Sequence, residues 1–211
     1  MLFQTTSAHE ELRAKIRSFA EEEIKPLAFL MDQNNEFPEE AVKKLSKLGW
    51  MGIPYPKEYG GAGLDALSYA IAVEELARVD GGTGVILSAH VSLGSWPIFA
   101  YGTEEQKKKY LVPLAKGEKI GAFGLTETNA GSDAGGTETT ALDKGDYYLL
   151  NGGKIFITKP LRRTPMWFSP SPRRTSAPGA SPLSSWRRAG RALSSATTMT
   201  RWVFAPPPRR S

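Results

Sequence analysis

The hydrophobic period of this chain changes near residue 120, and that change demands a fold in two parts. Upstream, apolar side chains recur every three to five residues, the spacing that shares one face of a helix; downstream they come in short runs bounded by turn formers. Leu12, Ile16, Phe19 and Ile24 make the first face, with Glu21, Glu22 and Glu23 largely outside it. Pro38 suits a second helix start, Ala41, Val42, Leu45 and Leu48 form its stripe, and Gly49 can close it in the left-handed conformation. Beyond the loop glycines Gly60, Gly61 and Gly63, Asp65 is placed to cap a third helix through Leu67, Ala70, Val73 and Leu76. Asp80-Gly81-Gly82 breaks it. The run 85–101 is apolar nearly all round, as expected of a helix buried within a bundle. Thr103 followed by Gln106 has the capping-box spacing and opens a fifth helix ending near Gly117.

After residue 120 the short runs 137–142 and 147–151 predict strands joined around Lys144-Gly145-Asp146, and 154–158 predicts another after Gly152-Gly153. The expected class is therefore α+β: an all-α helical bundle over 1–119, then the start of a β domain over 120–159. Residues 160–211 obey neither period. They hold nine prolines, nine serines and ten arginines, with no lysine and no acid. Such a stretch is expected to be disordered and without a native fold.

Charge divides at the same place. The formal net charge is +5, yet ten of the 27 basic side chains lie in 160–211, leaving 17 against all 22 acids upstream. A basic protein is thus the wrong description of the foldable part. The absence of cysteine excludes disulfide frameworks, cysteine–zinc sites and thiol catalysis. No stretch approaches about 18 consecutive apolar residues, and the N-terminus lacks the basic-then-apolar layout of a signal peptide. A soluble cytoplasmic protein with no membrane partner is the expectation. His9 and His90 have no second metal-ligand residue at a suitable spacing, so neither is assigned chemistry; His90 reads as a helix-core or interface residue.

The stretch most suited to chemistry is Gly124-Leu125-Thr126-Glu127-Thr128-Asn129-Ala130-Gly131-Ser132-Asp133-Ala134-Gly135-Gly136. A strand runs into a loop of small and hydroxyl residues, where glycine admits a ligand close to the backbone and Thr and Ser add short donors. It is neither the GxGxxG dinucleotide turn nor GxxxxGK[ST]. Without further context, such a loop is more often a plain connection than a ligand site.

The same thirteen residues resemble the first signature of the acyl-CoA dehydrogenase family at every defined position. Leu48-Gly49-Trp50-Met51-Gly52-Ile53-Pro54 with Glu58-Tyr59-Gly60-Gly61, then Tyr101-Gly102-Thr103-Glu104-Glu105-Gln106-Lys107, and Gly153-Lys154-Ile155-Phe156-Ile157-Thr158 extend the resemblance over roughly residues 5–158. The flavour is similar to short-chain, butyryl-type bacterial members. The resemblance implies a β-barrel-like middle domain, here truncated, and FAD-dependent conversion of an acyl-CoA to its trans-2-enoyl-CoA. In that chemistry a carboxylate removes the α proton while the β hydrogen leaves as hydride to flavin N5. It further implies that Phe123, Leu125 and Thr126 face the isoalloxazine, and that Gly131 and Ser132 meet the pyrophosphate, with Ser132 also touching acyl-CoA. Phe156 and Thr158 match the family's Trp-Ile-Thr flavin contacts. By itself Phe156 reads as a core strand residue. Glu127 reads as structural, since the family's base is a glutamate of a C-terminal helical domain; no catalytic residue is assigned in this chain. The implied partners are acyl-CoA, electron-transfer flavoprotein and, for intact members, three further copies in a homotetramer, with no nucleic acid. A related acyl-CoA oxidase is a second reading. A nucleic-acid binder acting through the basic tail is a third.

The resemblance stops at Lys159-Pro160, and a frameshift there is the working hypothesis. Trp186 and Trp202 must be TGG and Met199 must be ATG, so one base of displacement gives codons ending in TG or AT followed by codons starting with G. Val, Met, Tyr, Asp and Gly are all permitted by those constraints. GAG and GAC read one base later become Arg, Ser or Thr codons, which accounts for the vanished acids. The 211-residue chain is then expected to be catalytically inactive.

Overall fold

The computed structural model describes residues 4–143, 148–158, 166–168 and 201–204. It divides into two compact units, at Ile120 and Gly121. The first unit is helical and the second holds the described strands.

Five helical rods form the first unit, made of α1 (Ser7–Phe19), α2 (Lys25–Asn34), α3 (Glu39–Lys47), α4 (Ala66–Ala77), α5 (Gly81–Ser88), α6 (Trp96–Tyr101), α7 (Glu104–Gln106) and α8 (Val112–Ala115). α1 and α2 are one continuous rod, α5 and α6 another, and α7 and α8 a third. The joints are wide π-type turns at Ala20–Ile24, Ala89–Ser95 and Lys107–Leu111. Each joint lies just before a proline: Pro26, Pro97 or Pro113. A proline inside a helix has no N–H to donate and its ring collides with the carbonyl four residues back. Widening the turn makes room for the ring without ending the helix.

Local capping behaves as the sequence predicts. Asp65 accepts from the Ser68 N–H, Thr103 and Gln106 close a reciprocal capping box, and Gly49 takes φ 74° after α3. The first rod, however, is longer than the apolar stripe from Leu12 indicates. It starts at Ser7, where Thr6 and His9 cap each other, and His9 Nε2 also lies 3.0 Å from Asp65.

The core is built from Ile16, Ile24, Leu45, Met51, Ile71 and Leu76, all with almost no exposed surface. Tyr55 is equally buried and donates its hydroxyl to the Val91 carbonyl at 2.6 Å. His90 is fully buried beside the Leu114 carbonyl, and burial holds its pKa down to about 4. That is the core role expected of it. The rod Gly81–Tyr101 has a mean hydropathy of 1.2 and enough length to cross a membrane by composition alone, while 56% of its apolar window is buried in the bundle. Thr83, His90 and Ser95 are among its buried residues. The rod is less enclosed than expected, because Val85, Leu93, Trp96 and Tyr101 are exposed.

In the second unit, β1 (Ala122–Gly124) pairs in parallel with β4 (Met166–Phe168). β2 (Thr140–Asp143) and β3 (Tyr148–Asn151) form an antiparallel pair, extended by β5 (Arg201–Phe204) on the far side of β3. The junction at Lys144-Gly145-Asp146 lies outside the described residues. So does the expected lack of a native fold over 160–211, apart from the backbone of β4 and β5.

Two strand expectations need correction. β2 begins at Thr140 rather than 137, because the backbone N–H groups of Glu138 and Thr139 donate to the Glu127 carboxylate instead of a ladder. Residues 154–158 are not a strand. Ile155 donates instead to the Thr126 carbonyl at 2.9 Å, and Phe156 has φ 57°, which breaks the extended alternation.

Candidate flavin-binding segment

β1 buries Ala122 and Gly124 and leaves Phe123 half-buried on the opposite face, the period-two pattern of a strand covered on one side. Leu125 and Thr126 continue it, half-buried, and Glu127 turns inward. The chain then reverses tightly. Glu127 and Ala130 exchange both backbone hydrogen bonds at 3.1 Å, with Thr128 and Asn129 exposed at the tip. Gly131 and Ser132 follow, both exposed. Asp133 accepts from the Gly135 N–H at 3.1 Å and shapes the short Ala134–Gly136 turn, an Asx-type closure.

Beneath this loop lies a buried ion pair. Glu127 and Lys154 are 6% and 3% exposed, and Lys154 Nζ donates to Glu127 Oε1 at 2.6 Å. The carboxylate also accepts from the backbone of Glu138 at 2.5 Å, from the backbone of Thr139 at 3.1 Å and from the Thr139 hydroxyl. Lys154 Nζ donates in addition to the Leu125 carbonyl at 2.9 Å. Burial by itself would raise the Glu127 pKa; the hydrogen bonds from Lys154, Thr139 and the two backbone amides outweigh it and hold it at about 2. Burial lowers the Lys154 pKa more than Glu127 raises it. The donors converging on the carboxylate keep Glu127 ionised at neutral pH. An acid so engaged is a poor base, consistent with its structural reading.

A cleft of about 370 Å³ opens beside the pair, lined by residues 127–129, 138–140 and 151–153. Among the residues expected to contact a flavin, the structure ties Leu125 and Thr126 to the 154–156 segment through the Lys154 and Ile155 bonds. Gly131 and Ser132 are the first two residues past the Glu127–Ala130 turn. Phe156 is 88% exposed and Thr158 half-buried. Nothing in the sequence marks Thr139, and Lys154 is marked only as a lysine inside the otherwise apolar run after Gly152-Gly153.

Residues 6–118 match the family described as acyl-CoA dehydrogenase, N-terminal domain. The chain belongs to the acyl-CoA dehydrogenase family. Over 158 residues it is 61% identical to the short-chain specific acyl-CoA dehydrogenase of Clostridium acetobutylicum, covering 75% of this chain and 42% of that protein. The chain thus spans less than half the length of this relative. The structure of butyryl-CoA dehydrogenase from Megasphaera elsdenii superposes with TM-score 0.70 and 45% identity over 74% of this chain and 42% of that one. An acyl-CoA dehydrogenase from Bacillus anthracis, solved in complex with FAD, gives 0.68 and 42% over 73% and 27%. A chain from a study of the electron transferring flavoprotein of Acidaminococcus fermentans gives 0.75 and 38% over 98% and 57%. The α+β reading with a helical N-terminal domain holds, and the acyl-CoA dehydrogenase family is FAD-dependent.

Proposed function

We propose that this acyl-CoA dehydrogenase chain carries the helical domain and flavin-facing segment of a short-chain enzyme that oxidises an acyl-CoA to its trans-2-enoyl-CoA. The observation that carries the reading is the joint between the exit of β1 and residues 154–156, held by Lys154 and Ile155. The residues present fit FAD. An aromatic face at Phe156 stands out from the chain at a positive φ, and nothing lies within 4 Å of the place a side chain on Gly131 would occupy. A flat ring and a bulky pyrophosphate need those two features. In this reading Phe123, Leu125, Thr126, Phe156 and Thr158 hold the flavin ring. Gly131 and Ser132 admit the pyrophosphate, with Ser132 also meeting acyl-CoA. Bound FAD supplies the acceptor for the hydride that leaves the β carbon.

No described residue of this segment is offered as the base for the α proton. Glu127 is buried and saturated with donors, and its low pKa disfavours taking up a proton. The base is assigned, by family resemblance, to a glutamate outside the shared span. An electron-transferring flavoprotein as electron acceptor and a homotetrameric whole enzyme belong to the same proposal. Residues 160–211 are read as a shifted frame, which gives their ten arginines no role in choosing a partner.

The 211-residue polypeptide is therefore expected to be inactive and to hold FAD weakly. Purified protein supplied with excess FAD should give no dye reduction above background with butyryl-CoA. It should also lose flavin on desalting. Turnover, or one tightly bound FAD per chain, would contradict this.

A further inference from the structure

The buried Glu127–Lys154 pair is more than the fold of this segment requires. Removing two charges from water is costly, and a well-packed apolar pair at such a place is often neutral or stabilising. A buried charge pair is better explained where it fixes one arrangement among several. Here it joins three stretches that are distant in sequence. The carboxylate gathers the amides of Glu138 and Thr139, closing the loop 127–139 at its base. The ammonium reaches the Leu125 carbonyl, and the next residue, Ile155, reaches the Thr126 carbonyl. Two successive carbonyls at the exit of β1 are therefore claimed by two successive residues of the 152–158 segment. This sets the direction in which both peptide planes face.

We propose that Lys154 and Glu127 are positioning residues for flavin: their ion pair fixes the Leu125–Thr126 backbone and the start of the Gly131–Ser132 loop in the orientation that receives the cofactor. The inference rests on the flavin reading above. Neither side chain touches the cofactor in this account. Lys154 acts through the Leu125 carbonyl, and Glu127 acts through Lys154 and the loop base. Releasing the clamp frees two peptide planes that must then be ordered on binding, so FAD binding should weaken about tenfold or more.

The test uses the 211-residue protein labelled with ¹⁵N, titrated with FAD and followed at the amides of Leu125, Thr126, Gly131 and Ser132. Lys154→Met should weaken the FAD response about tenfold or more, and Lys154→Arg should recover most of it by restoring a cation of similar reach. The amide positions of Thr140–Asp143 and Tyr148–Asn151 should stay put in both variants. A Met variant that binds FAD as the unmodified protein does, or an Arg variant no better than Met, would overturn the positioning role alone. If the unmodified protein shows no response at 125–132, the flavin reading itself falls and takes the positioning role with it. Should Lys154→Met lose the hairpin resonances, Glu127→Gln decides. It keeps the shape and one acceptor oxygen, and a several-fold weakening supports the role while unchanged FAD binding overturns it.

Discussion

Alanine in place of Gly61 should unfold the helical unit at a temperature lower by more than about 10 °C. A Cβ there would lie 2.1 Å from the Tyr55 carbonyl oxygen and 2.7 Å from that of Gly52. Both are backbone atoms and cannot swing aside. They are also engaged, since Gly63 N–H donates to Tyr55 O at 2.8 Å and Ala62 N–H to Gly52 O at 3.0 Å. Making room separates the two loops, so about 1–3 kcal/mol of overpacking strain is joined by about 1 kcal/mol for each hydrogen bond lost. Gly49→Ala is the contrast. Nothing lies within 4 Å of its Cβ position, and its φ of 74° accounts for a penalty of roughly 1–2 kcal/mol. Equal melting temperatures for the two variants would show that the close approach is not what the glycine serves.

Glu75→Gln should cost about 2–4 kcal/mol at neutral pH, and the cost should vanish in acid. Glu75 is 1% exposed and ties α4 to α1 through Arg17 at 2.8 Å and Arg13 at 2.9 Å, with Arg78 at 3.4 Å on its own helix. The three arginines keep more of their surface in water, which limits the loss because they rehydrate when the carboxylate goes. Hydrogen bonding from Arg17, set against burial and aided by Arg13, lowers the Glu75 pKa from 4.5 to about 2. A carboxyl lowered in the folded state contributes stability that is complete above its unfolded pKa and lost as pH falls through its folded one. The window is therefore pH 4.5 down to 2, and the contribution is about 3 kcal/mol. Thermal unfolding followed by helical circular dichroism at neutral and acid pH should show parent and variant converging across that window. A constant gap between them would place the effect in packing rather than charge.

What the sequence reveals here is mostly local. Asp65, the Thr103–Gln106 box and Gly49 act within a few residues of themselves, so their roles were legible from spacing alone. The first apolar stripe, from Leu12 to Ile24, marks only part of its rod, which starts at Ser7 with the Thr6–His9 cap and is carried past Pro26 by the π-type turn at Ala20–Ile24. The candidate site was visible as small residues after a short strand. Its support was not, because Glu127 and Lys154 meet across 27 positions and no spacing rule links them. The same pairing explains the failed strand at 154–158: Lys154 and Ile155 reach to the exit of β1, and Phe156 turns out at φ 57°. Long-range polar contacts, rather than hydrophobic pattern, set the geometry of this segment.

The proposed short-chain acyl-CoA dehydrogenase with a frame shift near Lys159 can be put to trial by restoring the frame in the coding DNA at that codon and expressing the product. The restored frame should return acids and lysines after residue 159. The product should be a yellow protein with bound FAD that reduces an acceptor dye in the presence of butyryl-CoA. A coding sequence with no frame disruption there, or a restored product that neither binds FAD nor oxidises butyryl-CoA, would contradict the proposal.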